Sequence, residues 1–390
     1  MAAEEKKHQK HSALARPAYG RFHRNEWAIV GAPCSDIKQL AYGIIDRLSG
    51  KYRLAYVDAD HTGSDAEANS RRNPKSAMGH GATLEYTDKI HYHRFDLEAK
   101  LDTHQYRQYF NEQDAVLVNG NHFEAERQIV VIDPKKEESL KRKLARLTNV
   151  HLILLAEDIK EVFPWLREAL ESFGNIPQMK LRDVAGVSIL LEKELSLAKP
   201  PLYGLVLAGG QSQRMGLDKG LIEYYGMPQR DYMAKLLTSY CTETFISCRP
   251  DQVEEIKNPL PDTFTGLGPF GAIASAFRQK PDAAWLVIAC DLPLLDADTI
   301  SQLIGFRNIS KVATAFNSPV NEFPEPLIAI WEPRSYPILL QFLTQGYSCP
   351  RKVLINSNVE LLNATKPQAL RNVNSPEEME DVKALINQLP

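Results

Sequence analysis

The stretch of this sequence best suited to do chemistry is LVLAGGQSQRMGLDKGLIEYYG, residues 205–226, where an apolar strand runs into Gly209 and Gly210 and two cations, Arg214 and Lys219, follow. Paired glycines let the backbone turn and bring bare N–H groups against a ligand. Amides and fixed cations together suit a polyphosphate, whose charge must be spread over several donors once water is excluded. An ordinary strand-to-helix turn with solvated basic residues has the same spacing, and G-x-G-x-x-G is not matched. A second feature lies in AWLVIACDLPLL, which sets Asp291 at the carboxyl end of a buried strand, where ligands of open α/β sheets gather. A carboxylate there suits a magnesium ion held mainly by substrate phosphates and water; capping the next helix is the other use for it. Asp262, in PLPDTFTGLGPFGAI, precedes a glycine loop (Gly266, Gly268, Gly271), where it could bond a nucleoside or simply shape the turn.

Elements able to position these groups are legible around them. YGLVLAGG, ETFISC, AWLVIACD, KVATAF and PLIAIWE read as strands, DYMAKLLTSY, DQVEEIK, GAIASAFRQ and DADTISQLIGF as helices. A last helix in SPEEMEDVKALINQL opens on a capping box, Ser375 with Glu378. Upstream, WAIVG, a glycine turn, the periodic IKQLAYGIIDRLSG and YRLAYVDAD form a β-α-β opening. DAVLVNGNHF, RQIVVID and VHLILLAE add strands, with a charged helix expected over 137–147. Residues 61–94 read as an exposed excursion with little regular core. Paired prolines at 200 and 201 stop the preceding helix and mark a boundary. The organisation expected is a flexible arm over 1–25, an α/β domain over 26–197 and a second over 202–390. Both are of the three-layer α/β/α type, the second with a mixed, mostly parallel sheet.

With 390 residues, 46 Lys and Arg against 49 Asp and Glu, and a formal charge of −3, no whole-molecule field attracts nucleic acid or anionic membrane. Any anion site is local. Five cysteines without a C-x-x-C pair disfavour a disulfide framework or zinc knuckle and fit a reducing cytoplasm. No apolar run approaches the roughly 20 residues that cross a bilayer.

LAGGQSQRMGLDKG, the GPFGA loop, ACDLP and the terminal NVNSPEEME occur in one order and together resemble molybdenum cofactor guanylyltransferase, the MobA-type branch of the nucleotidyltransferases. The likeness spans residues 202–390. It implies transfer of GMP from GTP to the terminal phosphate of molybdopterin, with magnesium as cofactor and pyrophosphate as product. It assigns Leu207, Ala208, Gly209 and Gly210 to the guanine and phosphate site, Lys219 and Arg214 to the phosphates, Asp262 to the nucleoside and Asp291 to magnesium. Asn372 and Asn374, flanking Val373, would lie on the acceptor side, where a plain strand-to-helix turn is an equal reading. No general base is demanded, because a phosphate monoester already offers a dianionic oxygen near neutral pH. A molybdoenzyme client or cofactor-insertion partner is implied as well. Cytidylyl or sugar-phosphate transfer, and a non-catalytic carrier of the cofactor, are the alternatives; LAGG and DKG favour guanine.

The amino-terminal half is similar in layout to the MobB-type GTP-binding adaptor, but its P-loop does not match. Counted from Gly31, the pattern needs Gly, Lys and Ser or Thr at 36 to 38, and the chain has Asp36, Ile37 and Lys38. GTP hydrolysis is not expected there. The unit is read as a scaffold or docking surface, or as a changed pocket for molybdopterin or a client. Cys34 reads as a small packed side chain or a reactive thiol, and His61, His80, His91 and His93 as surface histidines.

Overall fold

The computed structural model describes residues 21–59, 77–97, 101, 103–208 and 218–388. The chain divides into two compact units: Asn25–Glu192 lies in the first, and Lys193–Pro390 in the second.

In the first unit, β1 (Asn25–Val30) is buried along its whole length and ends at Gly31. That residue has φ +96°, and a Cβ there would meet the Val131 carbonyl oxygen, so only glycine fits. The amphipathic α1 (Cys34–Leu48) follows, burying Ile37, Leu40, Ala41, Ile44 and Leu48. After β2 (Leu54–Val57), β3 (Leu84–Asp88) and β4 (His93–Leu97) pair as an exposed antiparallel ribbon, so this part of the expected excursion has regular structure. The unit continues through α2 (Thr103–Gln108), β5 (Ala115–Asn119), β6 (Arg127–Ile132), α3 (Glu137–Lys141), β7 (Val150–Leu155), α4 (Pro164–Ala169), β8 (Gln178–Lys180) and α5 (Val184–Leu197). The helix expected over 137–147 breaks after α3 into a 3₁₀ turn, Leu144–Arg146. Lys141, Arg142, Lys143 and Arg146 crowd like charge onto this stretch, with Arg142 and Arg146 one turn apart. The main sheet has the order β2-β5-β1-β6-β7-β8, and every pairing in it is parallel.

The second unit takes the last residues of α5 together with Arg21–Arg24. The arm expected to be free through residue 25 is therefore docked at its end. The backbone N–H groups of Arg21 and Phe22 donate to Asp282 Oδ1, and the Phe22 ring meets Tyr336 edge-on. β9 (Leu202–Leu207) starts directly after the paired prolines. It leads to α6 (Gln229–Leu237), β10 (Thr244–Cys248), a 3₁₀ helix where DQVEEIK suggested an α-helix, β11 (Pro259–Pro261), α7 (Pro269–Gln279) and β12 (Ala284–Ala289). α8 (Ala297–Gly305), β13 (Ala313–Asn317), β14 (Pro324–Trp331), α9 (Ser335–Thr344), α10 (Pro350–Ile355), β15 (Glu360–Leu362) and α11 (Pro376–Ile386) complete it.

The seven-stranded sheet runs β11-β10-β9-β12-β14-β13-β15, with β14 antiparallel to both neighbours and the other pairings parallel. Alternate residues feed opposite faces. Val206, Ile246 and Leu286 pack with Met233, Leu237, Ile300 and Leu303 of α6 and α8. Leu205, Phe245 and Val287 pack with Phe270, Ile273 and Phe277 of α7 and with Leu339 and Val353 of α9 and α10. Helices cover both faces, so β12, read as WLVIA, is buried throughout, as a sheet enclosed on two sides demands. Among the described residues, no helix is long and apolar enough to cross a membrane.

Candidate active site

β10, β9 and β12 end in register: Ser247 lies beside Leu207, and Leu207 beside Ala289. Above this row opens a cavity of about 190 Å³, lined by Leu207, Ala208, Lys219, Ser247, Asp262, Gly268, Pro269, Cys290 and Asp291 among others. It sits at the carboxyl edge of the parallel strands, where strand-end loops can supply ligand groups without breaking the sheet. Each acidic group arrives directly after a strand. Asp262 follows β11 and its N–H donates to the Cys248 carbonyl at 2.9 Å; Asp291 stands two residues past β12.

Lys219 reaches the same place from a short 3₁₀ turn, Lys219–Leu221, capped by the Asp218 side chain accepting the Gly220 N–H at 2.9 Å. Its ammonium donates to the Val373 carbonyl and to Asn374 Oδ1, each at 2.8 Å, and lies 3.4 Å from Asp291 Oδ2. The Val373 N–H in turn donates to the Asp291 carbonyl at 2.9 Å. Three segments far apart in the chain thus close a ring around one cation.

Burial raises the Asp291 carboxyl above its ordinary range, and the Lys219 charge opposes that rise. Asp291 Oδ1 is buried and has no hydrogen-bond partner among the described residues. A desolvated carboxylate oxygen left open beside a cavity suits a hard divalent cation, and magnesium commonly takes only one or two protein carboxylates. Among the described residues, no group of three or more metal-ligating side chains is gathered, so a dedicated cage is not what this site offers. Asp262 is pushed up to about 6 by burial, with the Ser247 hydroxyl, donating at 3.0 Å, working against the shift. The Cys290 thiol is pushed up to about 12 by burial and acts as a small packed wall.

Leu207, Ala208, Lys219, Asp262 and Asp291 are therefore brought together, and Asn374 joins them through Lys219. Asn372 is exposed and outside the cavity lining. Gly209, Gly210 and Arg214 lie outside the described residues, as does His61. Sequence reasoning missed Ser247, and it named Val373 only within the cluster Asn372, Val373, Asn374, without the contact of its carbonyl to Lys219. Ser247 was visible as the penultimate residue of a strand ending at the same edge; a backbone acceptor has no signature in residue type.

An α/β/α fold that gathers one cation, two carboxylates and a glycine loop at its strand ends has the groups a nucleotidyltransferase uses, and comparison with known proteins gives that class. Residues 204–360 match the family described as MobA-like NTP transferase domain. A molybdenum cofactor biosynthesis bifunctional protein of Synechocystis sp. is 35% identical over 196 residues, 48% of this chain but only 56% of that protein. A molybdenum cofactor guanylyltransferase of Pseudomonas putida is 31% identical over 196 residues, 47% of this chain and 98% of that protein. The chain belongs to the MobA-like NTP transferase family. A crystal structure of molybdopterin-guanine dinucleotide biosynthesis protein A from Archaeoglobus fulgidus aligns with 48% of this chain and 100% of its own, at 20% identity and a TM-score of 0.41.

Proposed function

We propose that the second unit transfers GMP from GTP to the terminal phosphate of molybdopterin, giving the guanine dinucleotide cofactor and pyrophosphate. The observation that carries this reading is the convergence of Lys219, Asp262 and Asp291 on one strand-end cavity. Family membership supplies the chemical class.

The reaction is an in-line displacement at the α-phosphorus, in which placement and charge neutralisation do most of the catalysis. Lys219 holds its ammonium where charge builds on the leaving pyrophosphate, in a desolvated setting that strengthens the interaction. Asp262 accepts from the nucleoside side of GTP, with Ser247 fixing its carboxylate. The walls formed by Leu207, Ala208 and Pro269 exclude water from the bond being exchanged. Asp291, through its open oxygen, would hold magnesium, which when bound supplies further neutralisation of the phosphates. Gly209, Gly210 and Arg214 are assigned to the phosphates, and Asn372 to the acceptor side, on the resemblance of their motifs. The free state of all five cysteines suits a cytoplasmic setting.

For the first unit we propose a scaffold or docking role. Its would-be phosphate loop carries Asp36, and neighbouring groups engage one another: Cys34 Sγ lies 3.3 Å from His122 Nε2, and the Lys143 ammonium donates to Asn121 Oδ1 at 3.0 Å.

Purified protein incubated with magnesium, molybdopterin and labelled GTP or CTP tests the reading. Dinucleotide and pyrophosphate from GTP in preference to CTP are expected. Product from CTP alone transfers the assignment to the cytidylyl branch, and no product from any nucleotide, with cofactor bound, indicates a carrier.

A further inference from the structure

Lys219 is held from the carboxyl-terminal side of the unit, and how it is held bears on the reaction. An ammonium has three donors and no acceptor. Among the described residues, three acceptors surround Lys219: the Val373 carbonyl at 2.8 Å, Asn374 Oδ1 at 2.8 Å and Asp291 Oδ2 at 3.4 Å. Every donor is committed before a phosphate arrives. The contact with Asp291 is the longest, and its carboxylate is the group assigned to magnesium. The two shorter contacts come from one segment, Val373 and Asn374.

That segment is itself fixed. Glu378 Oε2 accepts the Asn374 N–H at 2.6 Å and the Ser375 N–H at 3.3 Å, while Ser375 Oγ accepts the Glu378 N–H at 3.2 Å, the reciprocal box that starts α11. The Val373 side chain is buried and its N–H is tied to the Asp291 carbonyl. Asn374 therefore projects its side-chain oxygen from a backbone clamped on both sides.

We infer that Asn374 is a positioning residue for Lys219, and that Glu378 acts one step further back by holding Asn374. On nucleotide binding, the ammonium gives up Asp291 and turns that donor to a phosphate oxygen, pivoting on Val373 and Asn374. This assignment rests on the transferase reading above, and differs from an acceptor-side role for Asn374. The opposing physical picture is competition: Asn374 Oδ1 would occupy a donor the phosphate needs, and its removal would tighten GTP binding without slowing the chemistry. The two pictures separate in the steady-state constants.

The test is kinetic, on the full chain with GTP, magnesium and molybdopterin. Asn374→Ala is expected to lower kcat about tenfold, the scale of a hydrogen bond to a charged group, with KM for GTP changed less than about twofold. Asn374→Asp, which keeps an acceptor at the same reach, is expected to restore most of kcat. Glu378→Ala is expected to lower kcat by a smaller factor and Glu378→Gln, which still serves a capping box, to leave it near wild type. A normal kcat in Asn374→Ala, or a fall in KM for GTP with kcat intact, overturns the inference and leaves the transferase reading standing. A loss of kcat in Asn374→Ala that Asn374→Asp does not restore also overturns it. Wild-type protein that binds GTP but forms no dinucleotide overturns both.

Discussion

The Lys219 ammonium and the Val373 carbonyl oxygen lie 2.8 Å apart, although 154 residues separate them in the chain. The site is therefore not contained in the glycine loop that announces it. It is assembled when the segment before α11 folds back over the carboxyl end of β12, and the Val373 N–H on the Asp291 carbonyl fixes that return.

Lys219→Met keeps the length and apolar stem of the side chain and removes the charge. Loss of a preorganised, desolvated donor to developing phosphate charge is expected to lower the transfer rate by about 10²- to 10³-fold. The control is thermal unfolding. A rate loss accompanied by a midpoint within a few degrees of wild type supports a phosphate role, and an unchanged rate removes Lys219 from it.

Asp291→Asn is expected to leave little activity and to flatten what remains against magnesium concentration, because the open buried oxygen assigned to the ion becomes a neutral amide. The fold is expected to survive. The apolar run of β12 is untouched, and burial already opposes the charged form of Asp291. Wild-type turnover with normal magnesium dependence in this variant would place the metal elsewhere.

Much of the second unit was readable from periodicity because its strands are enclosed on both faces and its helices carry one apolar side. WLVIA became β12, and GAIASAFRQ became most of α7. The capping box at Ser375 and Glu378 is local chemistry and formed as its spacing implies. What the sequence concealed depends on tertiary closure. Arg21 and Phe22 read as part of a flexible arm, yet their N–H groups find Asp282, 260 residues away for the nearer of the two contacts. Asn374 read equally as a turn residue, and only the folded chain sets its side-chain oxygen on Lys219.

Gly271 sits in the first turn of α7, where a Cβ would run into the carbonyl oxygen of Phe264. That oxygen is backbone and cannot swing aside as a side chain could. Gly271→Ala is expected to destabilise the unit by about 1–3 kcal/mol, as overpacking of a dense interior does, and to weaken GTP binding by shifting the loop beside Pro269. Denaturant unfolding and calorimetry check the two parts separately; a midpoint equal to wild type shows that the loop yields freely.

Asp262 carries a pH signature. Its folded pKa, pushed up to about 6, lies above the ordinary 3.8, so the folded protein holds this proton more tightly than the unfolded chain does. The ionised carboxylate therefore costs stability. That cost is fully present above pH 6 and is relieved as pH falls through 6 towards 3.8. Asp262→Asn keeps the acceptor for the Ser247 hydroxyl and removes the charge, so it is expected to melt higher than wild type at pH 8, with the gap closing as pH approaches 4. Nucleotide binding runs the other way, because the ionised carboxylate accepts from a nucleoside N–H more strongly than a neutral carboxyl or amide does. GTP affinity of the wild type is expected to weaken as pH drops below 6, and that of Asp262→Asn to be lower at pH 8 and flat across the same window. Calorimetric titrations at pH 5, 6 and 8 decide it: parallel pH curves for the two proteins would show that Asp262 faces the cavity without touching the nucleoside.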